Sequence, residues 1–260
     1  NLELQDQVAI VTGAGGGLGR SHALMLARHG AAVVVNDFGG GRDGSGGNTE
    51  ASEAVVREIT AEGGRAIANA GNVTSEADMA ALVEQTLSAF GRIDVLINNA
   101  ADTAGGSLVT GEMEAVRRVM ESNYFGTLNV IRVFAPVLAR NGGGAIVNVL
   151  SAAAWLTVEG NTAYAAAKSA EWGLTNGVRL ELAGQGTQVV GLMPGLIGTQ
   201  TLYDFARKAG IEFPDGAVTE PAALVELALD GLEAGDIEVA DALGLRAKAT
   251  LAGPPQVFTV

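Results

Sequence analysis

Short apolar runs alternate with helix-patterned stretches along this chain, and that alternation leaves few folds open. The runs "VAIVT" (8–12), "AAVVVN" (31–36), "RAIANA" (65–70), "IDVLIN" (93–98), "GAIVNVL" (144–150) and "QVVGLM" (188–193) read as strands, with a short last one in "QVFTV" (256–260). Between them, helical patterning covers 17–29, 49–62, 75–90, 111–139, 161–183 and 220–234. Most of these strands are apolar throughout rather than alternating, as expected when both faces of a sheet are covered. The expected fold class is therefore α/β: a single-domain, doubly wound parallel sheet of about seven strands with helices on both faces. No linker or break in composition divides 1–260. Two loops stand out, the Gly-rich "FGGGRDGSGGN" (38–48) and the long stretch after "MPG", where a substrate lid is expected at 196–219.

Composition removes several function classes. A net charge of −13 without any basic cluster repels phosphate backbones, so no nucleic acid is expected as a partner. The absence of cysteine rules out disulfides, a thiolate nucleophile and a Cys-based zinc site. The two histidines, His22 and His29, fall in the first predicted helix and read as ordinary surface residues, so no metal site is expected. No apolar run reaches the roughly 18 residues that span a bilayer. The start "NLELQDQVAIVTG" lacks the basic and apolar regions of a signal peptide, so a soluble cytoplasmic protein without a membrane partner is expected. Charged residues make up only 17%, which points to surface buried between subunits.

The segment "VTGAGGGLGR" follows the first strand and opens the first helix. Gly13, Gly17 and Gly19 permit a tight turn, close approach of backbone to a pyrophosphate, and close helix–strand packing, with the phosphate on the helix N-terminus. The second strand ends in Asn36-Asp37, where a carboxylate can accept hydrogen bonds from adenosine ribose hydroxyls. It would also repel a 2′-phosphate, so NAD is expected rather than NADP. Farther on, "NTAYAAAKSAEWG" (161–173) reads as a helix with Asn161 or Thr162 available as cap, and it presents Tyr164 and Lys168 on one face.

Together, Thr12-Gly13-x-x-x-Gly17-x-Gly19, Asn98-Asn99-Ala100, Ser151 and Tyr164-x-x-x-Lys168 resemble the short-chain dehydrogenase/reductase family, in its order and across essentially the whole chain. Ser151 lies 13 residues before Tyr164 and Asn123 lies 28 before Ser151, while "PGLIGT" (194–199) is similar to the family's Pro-Gly-x-x-x-Thr turn. The resemblance implies a Rossmann-type, NAD-dependent oxidoreductase interconverting a hydrophobic secondary alcohol and its ketone. Tyr164 would be the general acid/base. A phenol is a poor base at neutral pH, and a nearby ammonium favours phenolate. Lys168 would supply that charge and bind the nicotinamide ribose. Ser151 would position the substrate oxygen, and Asn123 would hold a water linking Lys168 to solvent.

The same resemblance implies cofactor contacts from Gly13, Gly17, Leu18, Gly19, Asp37, Asn72, Val73, Asn99, Ala100, Tyr164, Lys168, Pro194, Gly195, Ile197 and Thr199. NADP-preferring relatives place a basic residue where this chain has Gly16 or Phe38; Arg20 is expected to point along its helix, which leaves Arg42 to rescue NADP binding. The chain departs from the family at Ala101, usually glycine, and at Asn72, often aspartate; the amide can still contact adenine. Substrate contacts are expected from Ser151, Ala153, Trp155, Tyr164 and Leu202, within an apolar lining that adds Leu156, Leu196, Ile197, Tyr203 and Phe205. "VVVNDFGG" resembles the dehydrogenase part of peroxisomal multifunctional β-oxidation enzymes, a similarity on the cofactor side that says little about substrate; a 3-hydroxyacyl thioester dehydrogenase (or 3-oxoacyl reductase) is the alternative. A non-catalytic NAD-sensing protein is a further one, although such proteins commonly lose the Tyr or Lys. In the resembled family the helices corresponding to 111–139 and 161–183 build a two-fold interface, so a homo-oligomer, a homotetramer, is expected.

Overall fold

The apolar runs become strands where helices can cover them on both sides. The computed structural model describes residues 3–39, 48–251 and 257–258. Its first half runs β1 (Val8–Thr12), α1 (Gly17–Arg28), β2 (Ala32–Asn36), α2 (Glu50–Ala61), β3 (Arg65–Asn69), α3 (Glu76–Phe90), β4 (Val95–Asn98), α4 (Met113–Met120) and α5 (Gly126–Arg140). It continues with β5 (Gly144–Val149), β6 (Thr157–Val158), α6 (Thr162–Leu182), β7 (Thr187–Met193), β8 (Leu196–Ile197), α7 (Gln200–Ala209), β9 (Val218–Thr219), α8 (Pro221–Ala234), β10 (Glu238–Ala240), α9 (Ala242–Ala249) and β11 (Val257–Phe258).

Seven strands form one parallel sheet in the order β10-β7-β5-β4-β1-β2-β3. Every residue of β1, β2 and β4 is buried. Successive side chains point to opposite faces. Val11, Val33 and Val190 accordingly join Leu224 and Leu229 of α8 in one core layer, while Ile10, Val34 and Ile146 join Leu82 of α3 and Phe134 of α5 in the other. The strand order reverses between β1 and β4. In a parallel sheet that reversal opens a crevice beyond the strands' carboxyl ends, the place where such folds bind ligands.

The structure corrects several expectations. The seventh strand of the sheet is β10, not the 256–260 segment. Only Val257–Phe258 of that segment is described, and it pairs with β6 in a separate two-stranded sheet. β10 has just three residues between Asp236 and Asp241, too short to read as an apolar run, and it forms because β7 offers it an edge. The helix expected over 111–139 is two helices joined by a π-helical turn at Glu121–Phe125. β4 starts at Val95 rather than 93, and the Asp94 carboxylate just before it accepts from Val8 N at 2.9 Å and pairs with Arg92 at 2.7 Å. The 196–219 stretch is ordered into β8, α7 and β9. Residues 40–47 of the Gly-rich insert, Arg42 among them, lie outside the described residues. Among the described residues no helix is long and apolar enough to cross a membrane.

His22 is not at the surface. It is fully buried in α1, and neither ring nitrogen has a partner among the described residues. Burial lowers its pKa from 6.5 to about 4. The unfolded chain therefore takes up this proton near pH 6.5 and the folded chain only near pH 4. Stability is intact above that window and falls across it as pH drops, by about 3 kcal/mol in all at about 1.4 kcal/mol per pKa unit. A His22→Leu variant, with nothing to protonate, should be less acid-sensitive than wild type by about 2 kcal/mol between pH 7 and 5. Denaturant melts at the two pH values check this; equal losses in both proteins would contradict it.

Candidate active site

The crevice is built from the ends of β1 and β4. Gly13 (φ 61°) and Gly17 (φ 50°) hold left-handed conformations that side chains disfavour. A Cβ on Gly19 would lie 2.2 Å from the Gly13 carbonyl oxygen, so only glycine lets α1 pack this close to the turn. Asn99 ties the two strands together. Its Nδ2 donates to the carbonyls of Thr12 (3.0 Å) and Gly13 (2.9 Å), while the backbone N–H groups of Asn99 and Ala100 donate to Thr12 Oγ1. The Asn99 side chain is thus spent on shaping the turn.

Beyond the turn opens a cavity of about 940 Å³, lined by Gly13, Gly16, Gly17, Asp37, Asn72, Val73, Asn99, Ala100, Ala101 and Thr199, among others. A Cβ on Gly16 would meet nothing within 4 Å, so the turn is open on the cavity side. Asp37 stands at one end, its two carboxylate oxygens accepting from the N–H groups of Gly15 and Gly39, each at 2.8 Å. This backbone grip aims a fixed carboxylate at the space beside the glycine turn. Arg20 is engaged away from it in a pair with Glu58. Asn72 turns its Oδ1 onto Thr74, accepting from both N and Oγ1, which leaves its amide nitrogen for any cavity contact. Leu18 is buried in the core beneath the turn. Pro194 accepts from Ala152 N at 2.8 Å, and Gly195 N donates to Asp241, a residue the sequence did not flag. Ile197 packs on the core, and Thr199 caps α7 through Leu202 N.

Tyr164 and Lys168 do share one face of α6, with Lys168 Nζ 5.9 Å from the Tyr164 ring centroid. Tyr164 is half-buried, whereas Lys168 is 1% exposed. Its Nζ donates to the Val149 carbonyl at 2.9 Å and to Glu171 Oε2 at 2.7 Å. Glu171 is equally buried, and its other oxygen accepts from Thr127 Oγ1 at 2.9 Å. Burial alone would lower the Lys168 pKa, but the Glu171 carboxylate and then Tyr164 outweigh it and hold the ammonium above its usual value. Burial pushes the Glu171 carboxyl up, against the opposing pull of Lys168 and Thr127. Glu171 was missed in the sequence, although its i+3 spacing from Lys168 on a helix was the available signal.

Ser151 follows β5 two residues after Val149, and its Oγ accepts from Ala153 N at 3.1 Å. Asn123 sits in the π-helical turn, fully buried. Its Nδ2 donates to Asp102 and Val119 carbonyls at 2.8 Å each, and its Oδ1 has no partner among the described residues. Asp102 is itself held by Arg118 at 2.7 Å. Asn161 and Thr162 do not cap α6 with their side chains. They pin the 103–108 loop over it instead, through Thr103, Gly106 and Leu108. At Gly105 a Cβ would come within 3.0 Å of Tyr164 N, so that loop lies directly on the Tyr164 backbone.

Two of the residues expected to line the substrate site, Trp155 and Ala153, are core, while Ser151, Leu156, Tyr164, Leu196, Ile197 and Leu202 are half-buried and the Phe205 side chain lies outside the described residues. Trp155 is 7% exposed and packs edge-to-face on Trp172 at 6.1 Å, in a cluster with Leu150, Ala152 and Met193. Its ring is needed to fill the space under α9, so it does not line the cavity. Ala153 is buried too. Leu202 is half-buried on α7, and Tyr203 borders a separate open hollow of about 610 Å³ with Ile211, Phe213 and Val218. Among the described residues no cluster of three or more His, Asp or Glu could hold a metal ion.

The model of the short chain dehydrogenase family matches residues 7–209. This chain belongs to that family. It is 36% identical over 222 residues to a cyclohexanol dehydrogenase of Acinetobacter sp. (strain SE19), covering 84% of each chain. It superposes with a TM-score of 0.82 on a 7α-hydroxysteroid dehydrogenase complexed with NADH and 7-oxo glycochenodeoxycholic acid, at 31% identity, covering 94% of this chain and 96% of that one. A short chain dehydrogenase of Burkholderia cenocepacia J2315 in complex with NADP is 30% identical with a TM-score of 0.79, covering 97% and 95%. The chain is thus an oxidoreductase built on a Rossmann-like sheet.

Proposed function

We propose that this protein is an NAD-dependent dehydrogenase interconverting a hydrophobic secondary alcohol and its ketone. The observation that carries the reading is the buried Lys168 ammonium 5.9 Å from the Tyr164 ring, on one helix face beside the end of β5. Bound NAD supplies the hydride acceptor. The residues of the chain handle everything else. Gly13, Gly16 and Gly17 offer backbone to the pyrophosphate at the start of α1, and the Asp37 carboxylate receives the adenosine ribose hydroxyls. Tyr164 Oη takes the alcohol's proton, and Lys168 stabilises the resulting phenolate. Lys168 Nζ has three protons, of which Val149 and Glu171 engage two, leaving one for the nicotinamide ribose. Ser151 Oγ lies at the end of β5 to donate to the substrate oxygen. The unpartnered Oδ1 of Asn123 suits a bound water on the route between Lys168 and solvent. The segment 196–219 serves as the substrate lid.

Apolar Leu202, with Leu196 and Ile197 at the same end of the fold, supports a hydrophobic substrate, and cyclohexanol is the first probe because of the similarity to a cyclohexanol dehydrogenase. A homotetramer is supported by apolar side chains left exposed outside the sheet, including Phe125 before α5 and Leu180 on α6, the latter 80% exposed.

Tyr164→Phe should cut kcat by about 10²–10⁴-fold while NADH still binds, since the ring packs alike but exchanges no proton. Absorbance of NADH across a panel of secondary alcohols and ketones, cyclohexanol included, measures kcat, and an NADH fluorescence titration measures binding. A Phe variant keeping more than about a tenth of wild-type kcat would defeat the assignment. NAD should be preferred over NADP, because a carboxylate about 4 Å from a phosphate charge costs about 4 kcal/mol at an effective dielectric near 20. Asp37→Ala should narrow that preference; kcat/KM ratios unchanged by the substitution would remove Asp37 from the role. Light scattering should return a multiple of the 26.3 kDa protomer.

A further inference from the structure

An amine and a carboxyl group lie almost fully buried against each other in this fold, and the proton transfer just described uses only the amine. Glu171 is 1% exposed and stands one helical turn beyond Lys168, its carboxylate 2.7 Å from Nζ. Its second oxygen is held from α5 by Thr127. Both oxygens are therefore fixed, and the backbone carbonyl of Glu171 is fixed as well, accepting from Thr175 Oγ1 at 2.8 Å. Among the described residues the charged or titratable groups acting on Lys168 are Glu171 and Tyr164, and the one acting on Glu171 is Lys168. On the Asn123 side, the Asp102 carboxylate is taken up by Arg118 at 2.7 Å and by Ala104 N at 2.8 Å.

Such an arrangement changes the charge balance of the proton-handling pair. With a neutral residue at 171, Tyr164 and Lys168 in their fully protonated form would carry one buried positive charge, and losing a proton would leave them neutral. With the Glu171 carboxylate in place the protonated form is already neutral, and losing a proton leaves a buried net negative charge. Desolvation penalises whichever form is charged. The carboxylate therefore makes the pair keep its proton to higher pH. That holds whether Tyr164 or Lys168 gives the proton up, because the titration belongs to the coupled pair.

Resting on the reading of Tyr164 as acid/base, we propose that Glu171 is a positioning residue that anchors Lys168 Nζ and keeps the Tyr164–Lys168 pair proton-loaded near neutral pH, favouring the form that protonates a carbonyl oxygen in ketone reduction. In that direction the Tyr164 hydroxyl gives its proton to the oxygen as hydride reaches the carbon, and Lys168 with solvent restores it. Alcohol oxidation needs the pair one proton short, so the same carboxylate moves its onset to higher pH.

The test is kcat as a function of pH, with cyclohexanol and NAD for oxidation and cyclohexanone and NADH for reduction, in wild type, Glu171→Gln, Glu171→Asp, Thr127→Val and Tyr164→Phe. Glu171→Gln keeps the shape and an acceptor for Nζ but removes the charge. It should move the acid limb of oxidation and the alkaline limb of reduction to lower pH by about one unit or more. Glu171→Asp, which retains the charge, should restore the wild-type midpoints. Thr127→Val, which strips a hydrogen-bond donor from the carboxylate and leaves its charge less offset, should move them slightly to higher pH, opposite to the Gln variant, and it decides the matter if the Gln variant does not fold. A purely structural Glu171 would lower kcat at all pH values with the midpoints unmoved, and that result would overturn the proposal. The pair that wild type turns over best in the panel replaces cyclohexanol and cyclohexanone if these fail; a wild type that turns over no alcohol or ketone of the panel, or an active Tyr164→Phe, would bring down the underlying reading and this proposal together. An inactive Tyr164→Phe beside unshifted Gln and Val variants would remove Glu171 alone.

Discussion

A parallel sheet with both faces covered leaves polar chemistry no place but its ends. The central strands β1, β2 and β4 are buried throughout, so each turns polar where it stops: Thr12 on β1, Asn36 on β2, Asn98 on β4 with Asn99 just after it. The reversal of strand order at β1 and β4 then opens a gap between connections that leave in opposite directions. The glycine turn, the Asn99 clamp and the Asp37 carboxylate are all consequences of that one topological point.

From the crevice a second polar chain runs sideways through the core and locates α6. Asn98 donates to Asn148 at 2.8 Å, Asn148 donates to Thr175 at 2.9 Å, and Thr175 donates back to the Glu171 carbonyl. Every amide and hydroxyl in this run is buried, so each bond that is made avoids a substantial desolvation penalty. The network links β4, β5 and the long helix in register. With α6 so placed, Lys168 reaches the Val149 carbonyl at the end of β5, two residues before Ser151. Lys168 could not stay charged in that position unaided, and the price of burying it is met by Glu171 and Thr127.

Much of this was legible in the chain. Six of the seven strands of the sheet follow from apolar runs, since a strand covered on both faces must be apolar along its length. The π-helical turn at Glu121–Phe125 was not, because the backbone shift that buries Asn123 leaves the helical residue pattern intact on both sides of it. β10 was missed because three residues are too few to carry a pattern. Trp155 misled for the opposite reason: an aromatic four residues after Ser151 reads as a pocket wall, yet it packs against Trp172.

The sequence by itself determined the α/β alternation, the glycine turn, the carboxylate after β2 and the spacing of Tyr164 and Lys168. All of these are local, set by which neighbours a helix or strand period brings together. Tertiary structure decided what no local period contains: that His22 faces inward with no partner among the described residues, that Asn99 is spent on clamping β1 to β4, and that Thr127, forty-four residues before Glu171, completes the carboxylate against Lys168. Hydrogen bonds between buried groups far apart in the chain depend on which helices pack together, and packing is a property of the whole core.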